Sequence, residues 1–262
     1  MLETPAFASC LAKLVPDKMQ PDGSAPLHRK FWEWAFIAEA LAERGCLQMG
    51  KRGLGFAVGT EALPAYFAGL GCEILATDCP TDDVQNLQFW STTNQHDQST
   101  ADLLRPDLCP SDLFAQRVKF RPVDMKRLPS DLRGFDFCWS ACAFEHLGSL
   151  PLGMDFVEAS LDCLKPGGIA IHTTEFNVLA NTFTPDVGPY VIYRRCDIEG
   201  LVERLRANGH AIDIDYATGD GRWDHEIDYP PYRWKHHLIL QRYTTIGVRF
   251  CREIRAARFR CW

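Results

Sequence analysis

Several absences narrow the field before any motif is read. Eleven cysteines lie scattered from Cys10 to Cys261, an odd number with no Cys-x-x-Cys spacing among them, so neither a zinc knuckle nor a redox dithiol is indicated. Cys138, Cys142 and Cys163 sit inside apolar runs, where a free thiol behaves as a small hydrophobe; reduced thiols and a cytoplasmic setting are expected. There is no excess of positive charge: 28 Lys and Arg face 34 Asp and Glu, a formal net charge of -6. That balance removes the field needed to hold a phosphate backbone, and nucleic acid is not an expected partner. No apolar stretch approaches the length that spans a bilayer, and the opening segment MLETPAFASCLAKLVPD is too polar, and too soon interrupted by Pro16, for a secretory signal. Membrane insertion is not expected. No internal repeat occurs.

What is present suits a folded domain. Hydrophobic residues make up 46% of the 262 positions and aromatics 11%, ample material for a buried core. After a Pro/Gly/Asp loop over 16–26, apolar residues at Phe31, Trp34, Ile37, Ala38 and Leu41 follow the three-and-four spacing of one helical face, and Gly45 stops it. Residues 1–50 are therefore expected to form an N-terminal helical cap. From 51 the pattern changes to short apolar runs separated by helical stretches: GLGFAV, EILATD, VKFRPVD, FDFCWSA, IAIHTTE, AIDIDYA and TTIGVRF. Strands alternating with helices predict a doubly wound α/β domain over 51–262 with a mostly parallel sheet, its last runs forming an antiparallel edge.

In open parallel sheets a ligand sits beyond the carboxyl ends of the strands, so each strand end is where chemistry should concentrate. The first is GFAVGTEALP, where Gly55, Ala57 and Gly59 interrupt the strand just before a helix. Small residues there let the backbone approach a ligand, and the helix start offers free N–H groups; tight packing is the other reading of the same residues. The second strand ends in Asp78, nineteen positions beyond Gly59. That is near the spacing of about 20 at which an acid can accept hydrogen bonds from a ribose diol. The third run ends in Asp124 and Met125, placed to meet an adenine amino group and ring, although Asp124 is equally a residue that caps a helix. Together these point to an adenosine-containing cofactor. The nicotinamide fingerprint wants a third glycine, which is missing at Glu61 and Ala62, so a nicotinamide-dependent oxidoreductase is the weaker alternative.

The fourth run, FDFCWSACAFEHLG, ends in Glu145-His146-Leu147, and Leu164-Lys165-Pro166-Gly167-Gly168 introduces the fifth. With these motifs in order, roughly residues 51–178 resemble the class I S-adenosylmethionine-dependent methyltransferases, in particular the branch acting on small molecules. The resemblance implies a seven-stranded Rossmann-like methyltransferase sheet and S-adenosylmethionine as cofactor. It makes Ala57, Gly59 and Glu61 the loop on the methionine side, Asp78 the ribose acceptor, and Asp124 with Met125 the adenine contact. Ser140 would offer its backbone carbonyl to the methionine amino group. The sequence departs from the family where Gly-x-Gly-x-Gly becomes Ala-Val-Gly-Thr-Glu, which leaves a non-catalytic, cofactor-binding relative as a further alternative.

Methyl transfer from a sulfonium is an in-line displacement, in which a protein mainly aligns the acceptor and excludes water. An acceptor hydroxyl also needs a base. His146 is a candidate because an ordinary histidine titrates near neutral pH, and Glu145 is the other; both also read as residues that cap or pack the next helix. The fifth run ends in His172, Thr173, Thr174 and Glu175, a polar cluster that either binds the acceptor or is simply solvated. The segment GDGRWDHEIDYPPYRWKHH adds His225 and Tyr232 as acceptor contacts. A divalent metal there is a lesser possibility, without a diagnostic spacing. The expectation is methyl transfer to the O or N of a small polar or sugar-containing acceptor.

Overall fold

The computed structural model describes residues 5–22, 28–80, 100–178, 180–214 and 216, and the backbone of three further strand segments at 227–228, 240–241 and 243–251. Two helices come first, α1 (Pro5–Leu14) and α2 (Arg29–Glu43). Then follow β1 (Arg52–Phe56), α3 (Leu63–Gly69), β2 (Glu73–Asp78), α4 (Ser111–Arg117), β3 (Val118–Pro122), β4 (Phe135–Ala141) and α5 (Leu150–Asp162). The chain continues through β5 (Leu164–Asn177), α6 (Arg195–Ala207), β6 (Ala211–Asp213), β7 (Ile227–Asp228), β8 (Leu240–Gln241) and β9 (Tyr243–Cys251).

The main sheet pairs in the order β3-β2-β1-β4-β5-β9-β6, and β7 pairs with β8 apart from it. The five strands from β3 to β5 are parallel, and β9 runs antiparallel to both β5 and β6. The last two runs thus form the antiparallel edge that the sequence pattern predicts, with the three-residue β6 outermost and the C-terminal strand β9 inside it. The crossover through α6 leaves a gap one strand wide between β5 and β6. β9 fills the slot between them, where its backbone is hydrogen-bonded on both sides.

Successive β4 residues point to opposite faces, and each face carries its own core. Phe137 and Trp139 pack with α1, α2 and α3 through residues such as Leu11, Ile37, Leu41 and Phe67. Cys138 faces the other way, toward Phe156, Val157 and Leu161 of α5 and Ile198, Leu201 and Leu205 of α6. The N-terminal helices therefore share one core with the strands. β1 can lie beside β4 only because it is stripped of side chains on the ring side: a Cβ on Gly55 would stand 2.5 Å from Trp139 and 2.6 Å from Val58.

Going from β1 the chain winds outward through β2 to β3, whereas β4 leads to β5 on the other side. The winding reverses between β1 and β4, and the carboxyl ends of these strands are where such sheets leave a crevice.

Candidate active site

One cavity of about 320 Å³ opens at that point. Ala57, Gly59, Glu61, Asp78, Asp124, Met125 and His146, each singled out in the sequence, line it. So do residues that the sequence did not single out for the cofactor: Lys30, Phe31 and Trp34 from α2, and Cys142 after β4.

The turn after β1 is tightly wound. Ala57 and Gly59 both take a left-handed backbone, each with φ of 49°; glycine does this freely, while alanine pays steric strain of the kind that persists where surrounding structure enforces it. Val58 N–H donates to the Thr77 carbonyl at 3.1 Å, tying the turn to β2. The Asp78 carboxylate completes the tie. One oxygen accepts from Gly59 N–H at 3.1 Å and the other from Cys79 N–H at 2.7 Å, so its orientation at the cavity wall is set by two backbone donors. Farther along the rim, Asp124 Oδ1 accepts from Lys126 N–H at 2.8 Å, and Met125 is almost buried beside it. Gly55 stands behind the turn, against Trp139, as a packing glycine outside the cavity lining.

At the end of β4 the structure separates residues that adjacency in sequence had grouped. Ser140 is fully buried on the side away from the cavity. Its Oγ is 2.8 Å from His172 Nδ1, while Ser160 Oγ is 3.2 Å from His172 Nε2. Phe144 and Phe156 enclose the same imidazole edge-on. His172 is thus an interior histidine with both nitrogens engaged, which corrects the expectation that it faces an acceptor. Burial pushes its pKa down to about 3, because taking the ring out of water disfavours its charged form. An unfolded chain therefore binds this proton more readily than the folded one at every pH between about 3 and 6.5, and stability falls as pH drops through that window. Melting of His172→Gln as a function of pH should show a shallower acid limb than the parent; parallel curves would remove this histidine as the cause.

The Ala141 carbonyl, one residue beyond Ser140, accepts from Lys30 Nζ at 3.0 Å. Cys142 follows with a left-handed φ of 48° and donates its N–H to Thr173 Oγ1 at 3.0 Å. Both sharp non-glycine turns thus flank the cavity, one after β1 and one after β4. Glu145 lies deeper, fully buried and outside the cavity lining. Its Oε2 accepts from Thr174 Oγ1 at 3.1 Å, its Oε1 has no hydrogen-bond partner among the described residues, and burial pushes its pKa up to about 7. His146 does line the cavity, on the short turn Phe144–His146. Its Nδ1 lies 3.0 Å from the Pro189 carbonyl, and since a carbonyl only accepts, the proton is assigned to Nδ1 and the lone pair to Nε2. Burial lowers its pKa to about 4, so it is neutral at pH 7 and a weaker base than an exposed histidine.

Glu175 is held by Arg29 at 3.0 Å and does not line the cavity. Within α2, Arg29 also pairs with the buried Glu33 at 3.1 Å and Lys30 with Glu33 at 3.0 Å, while the Arg29–Glu175 pair and the Lys30 bond to the Ala141 carbonyl tie the helix to the ends of β5 and β4. Among the described residues, Cys142, Glu145 and Glu175 place possible metal-ligand atoms within 4.8 Å of one another. The Arg29 guanidinium already supplies the cation that this trio would seek. His225, Tyr232 and the metal-ligand candidates of that loop other than Asp228 lie outside the described residues, and of Asp228 only the backbone is described. No described helix is long and apolar enough to cross a membrane.

No protein-family model matches the sequence, and no curated protein matches it. Solved structures do. A Listeria monocytogenes protein described as an S-adenosylmethionine-dependent methyltransferase aligns over 85% of this chain and 98% of its own, with 12% identity and a TM-score of 0.50. Magnesium protoporphyrin IX methyltransferase from Synechocystis, with bound S-adenosylhomocysteine, aligns over 85% of this chain and 83% of its own, with 14% identity and a TM-score of 0.49. A Galdieria sulphuraria protein described as a sarcosine dimethylglycine methyltransferase shows 19% identity over 69% of this chain, with a TM-score of 0.45, and the match spans 60% of its length. The first of these likenesses shows the fold: the chain has the doubly wound sheet of the S-adenosylmethionine-dependent methyltransferases.

Proposed function

We propose that this protein binds S-adenosylmethionine in the cavity over β1, β2, β3 and β4 and transfers its methyl group to the O or N of a small polar or sugar-containing acceptor. One observation carries the reading: Gly59, Asp78 and Asp124, from three successive strand ends, line a single cavity at the reversal point of the sheet. Asp78, held by two backbone N–H groups, turns toward the position of a ribose diol, and Asp124 with Met125 bounds an adenine. The left-handed turn at Ala57 and Gly59 keeps side chains out of the way of the remainder of the cofactor.

The cofactor, when bound, supplies a methyl group on a positively charged sulfur. The chain's own residues do the rest. The segment of α2 carrying Phe31 and Trp34 forms a wall that excludes water and offers aromatic faces to an acceptor ring or sugar. His146, neutral with its lone pair on Nε2, accepts a hydrogen bond from an acceptor hydroxyl and orients it; its low pKa suits it to positioning better than to full proton removal. Nine cysteines among the described residues are free thiols, which fits work in the cytoplasm.

Calorimetric titration with S-adenosylmethionine, S-adenosylhomocysteine and the nicotinamide dinucleotides tests the cofactor. Saturable binding of the first two and none of the last is expected; the reverse pattern would sink the proposal in favour of an oxidoreductase. Release of S-adenosylhomocysteine in the presence of a panel of small alcohols, amines and glycosides then separates an enzyme from a non-catalytic relative.

A further inference from the structure

Where the family's turn ends in a third glycine, this chain has Glu61, and the structure gives that substitution a specific setting. Glu61 is 6% exposed and lines the cavity. Its Oε1 accepts from the indole Nε1 of Trp139 at 2.6 Å, and among the described residues no second hydrogen bond reaches its carboxyl. The charged groups facing it are Lys30 and Glu33 of α2 and Asp78 at the end of β2. Lys30 is already engaged by Glu33 and by the Ala141 carbonyl, each at 3.0 Å. Glu61 is therefore a buried acid with one oxygen anchored to the sheet and, among the described residues, no ion pair of its own.

The order of strand ends along the rim says which part of a ligand it meets. Asp124 follows β3 and Asp78 ends β2, so a nucleoside held there extends its other end over β1 and β4, where Glu61 and Ala141 stand. The sulfur must stay open to the acceptor, which leaves the terminal amino acid group for the buried carboxyl. Resting on the cofactor reading above, we propose that Glu61 anchors the α-ammonium group of the cofactor's methionine half and, on binding it, gives up its own proton to solvent. In balance, the protonated Glu61 carboxyl and the ligand ammonium become a carboxylate-ammonium pair plus one hydronium taken up by buffer. A lone carboxylate at this depth is costly, while a paired and hydrogen-bonded one is tolerated, so the proton leaves only when the cation arrives. Burial, aided by Glu33 and Asp78 and opposed by Trp139 and Lys30, pushes the carboxyl up to about 8, consistent with a neutral group at pH 7 in the ligand-free chain.

Calorimetry with S-adenosylhomocysteine at pH 7, in buffers of different ionisation enthalpy, counts the protons. Close to one proton released per site is expected, with affinity rising up to about pH 8 and levelling above it. 5′-Methylthioadenosine, which has the nucleoside and no ammonium, should bind without proton release. Glu61→Gln keeps the acceptor for Trp139; it should bind S-adenosylhomocysteine about tenfold more weakly, with no proton release, and 5′-methylthioadenosine unchanged. Binding of S-adenosylhomocysteine without proton release overturns the Glu61 proposal and leaves the cofactor reading standing. Failure of the folded parent protein to bind either nucleoside overturns the cofactor reading itself. If Glu61→Gln fails to fold, the proton count and the ligand comparison on the parent protein decide alone.

Discussion

Replacing Asp78 with alanine should weaken binding of S-adenosylhomocysteine by about 1–3 kcal/mol, the range expected for losing a charge-assisted hydrogen-bond pair. The carboxylate has two duties. In the proposed function it accepts from the ribose at the cavity wall, and in the fold it receives Gly59 N–H and Cys79 N–H, joining the turn after β1 to the end of β2. Alanine removes both, and the left-handed turn at Ala57 and Gly59 loses one of its restraints. Asp78→Asn separates the duties: its amide oxygen still accepts from one backbone donor, while the amide nitrogen repels the other. Affinity from calorimetric titration, compared with the melting temperature of the ligand-free variants, distinguishes a ligand effect from a loosened loop. Unchanged affinity in Asp78→Ala would mean that the nucleoside does not lie along this rim.

A larger effect is expected on stability at Trp139. Its ring is fully buried, meets Phe67 edge-on at 5.1 Å, stacks on Phe137 at 5.9 Å and fills the space that Gly55 leaves open. Trp139→Ala opens a cavity where β1, β4 and α3 meet, and a loss of about 3–5 kcal/mol in chemical denaturation is expected. Trp139→Phe keeps most of the ring volume and removes only the indole donor to Glu61. It should cost less stability and drive the Glu61 carboxyl still higher, moving the pH dependence of S-adenosylhomocysteine binding to more alkaline values. A Trp139→Phe protein with the parent's pH profile would show that the indole hydrogen bond does not tune this acid.

Much of the fold was legible because its signals are local. The apolar runs ending in Asp78 and Asp124, the glycines of β1 and the Lys-Pro-Gly-Gly entry to β5 each declare a strand end or a turn through nearby residues alone. The antiparallel strand was legible as a strand but not in its place, since its position between β5 and β6 depends on where a distant crossover delivers β6. The fifth-strand cluster misled for a related reason. His172, Thr173, Thr174 and Glu175 read as one polar patch, yet alternation along a strand sends neighbours to opposite faces. His172 meets Ser140 and Ser160 inside, and Glu175 meets Arg29. The place of Lys30 at the cavity was not legible, since its approach to the Ala141 carbonyl spans 111 positions.

The amino-acid sequence by itself determined the kind of sheet, the succession of its strands along the chain and the acids that end two of them, because apolar runs, turn glycines and strand-end carboxylates act over a few residues. Only the tertiary structure decided which of those residues share the cavity, that α2 closes it, and that Glu61 is buried against Trp139. Those outcomes depend on register between strands and on packing between segments far apart in the chain, and no local pattern encodes either.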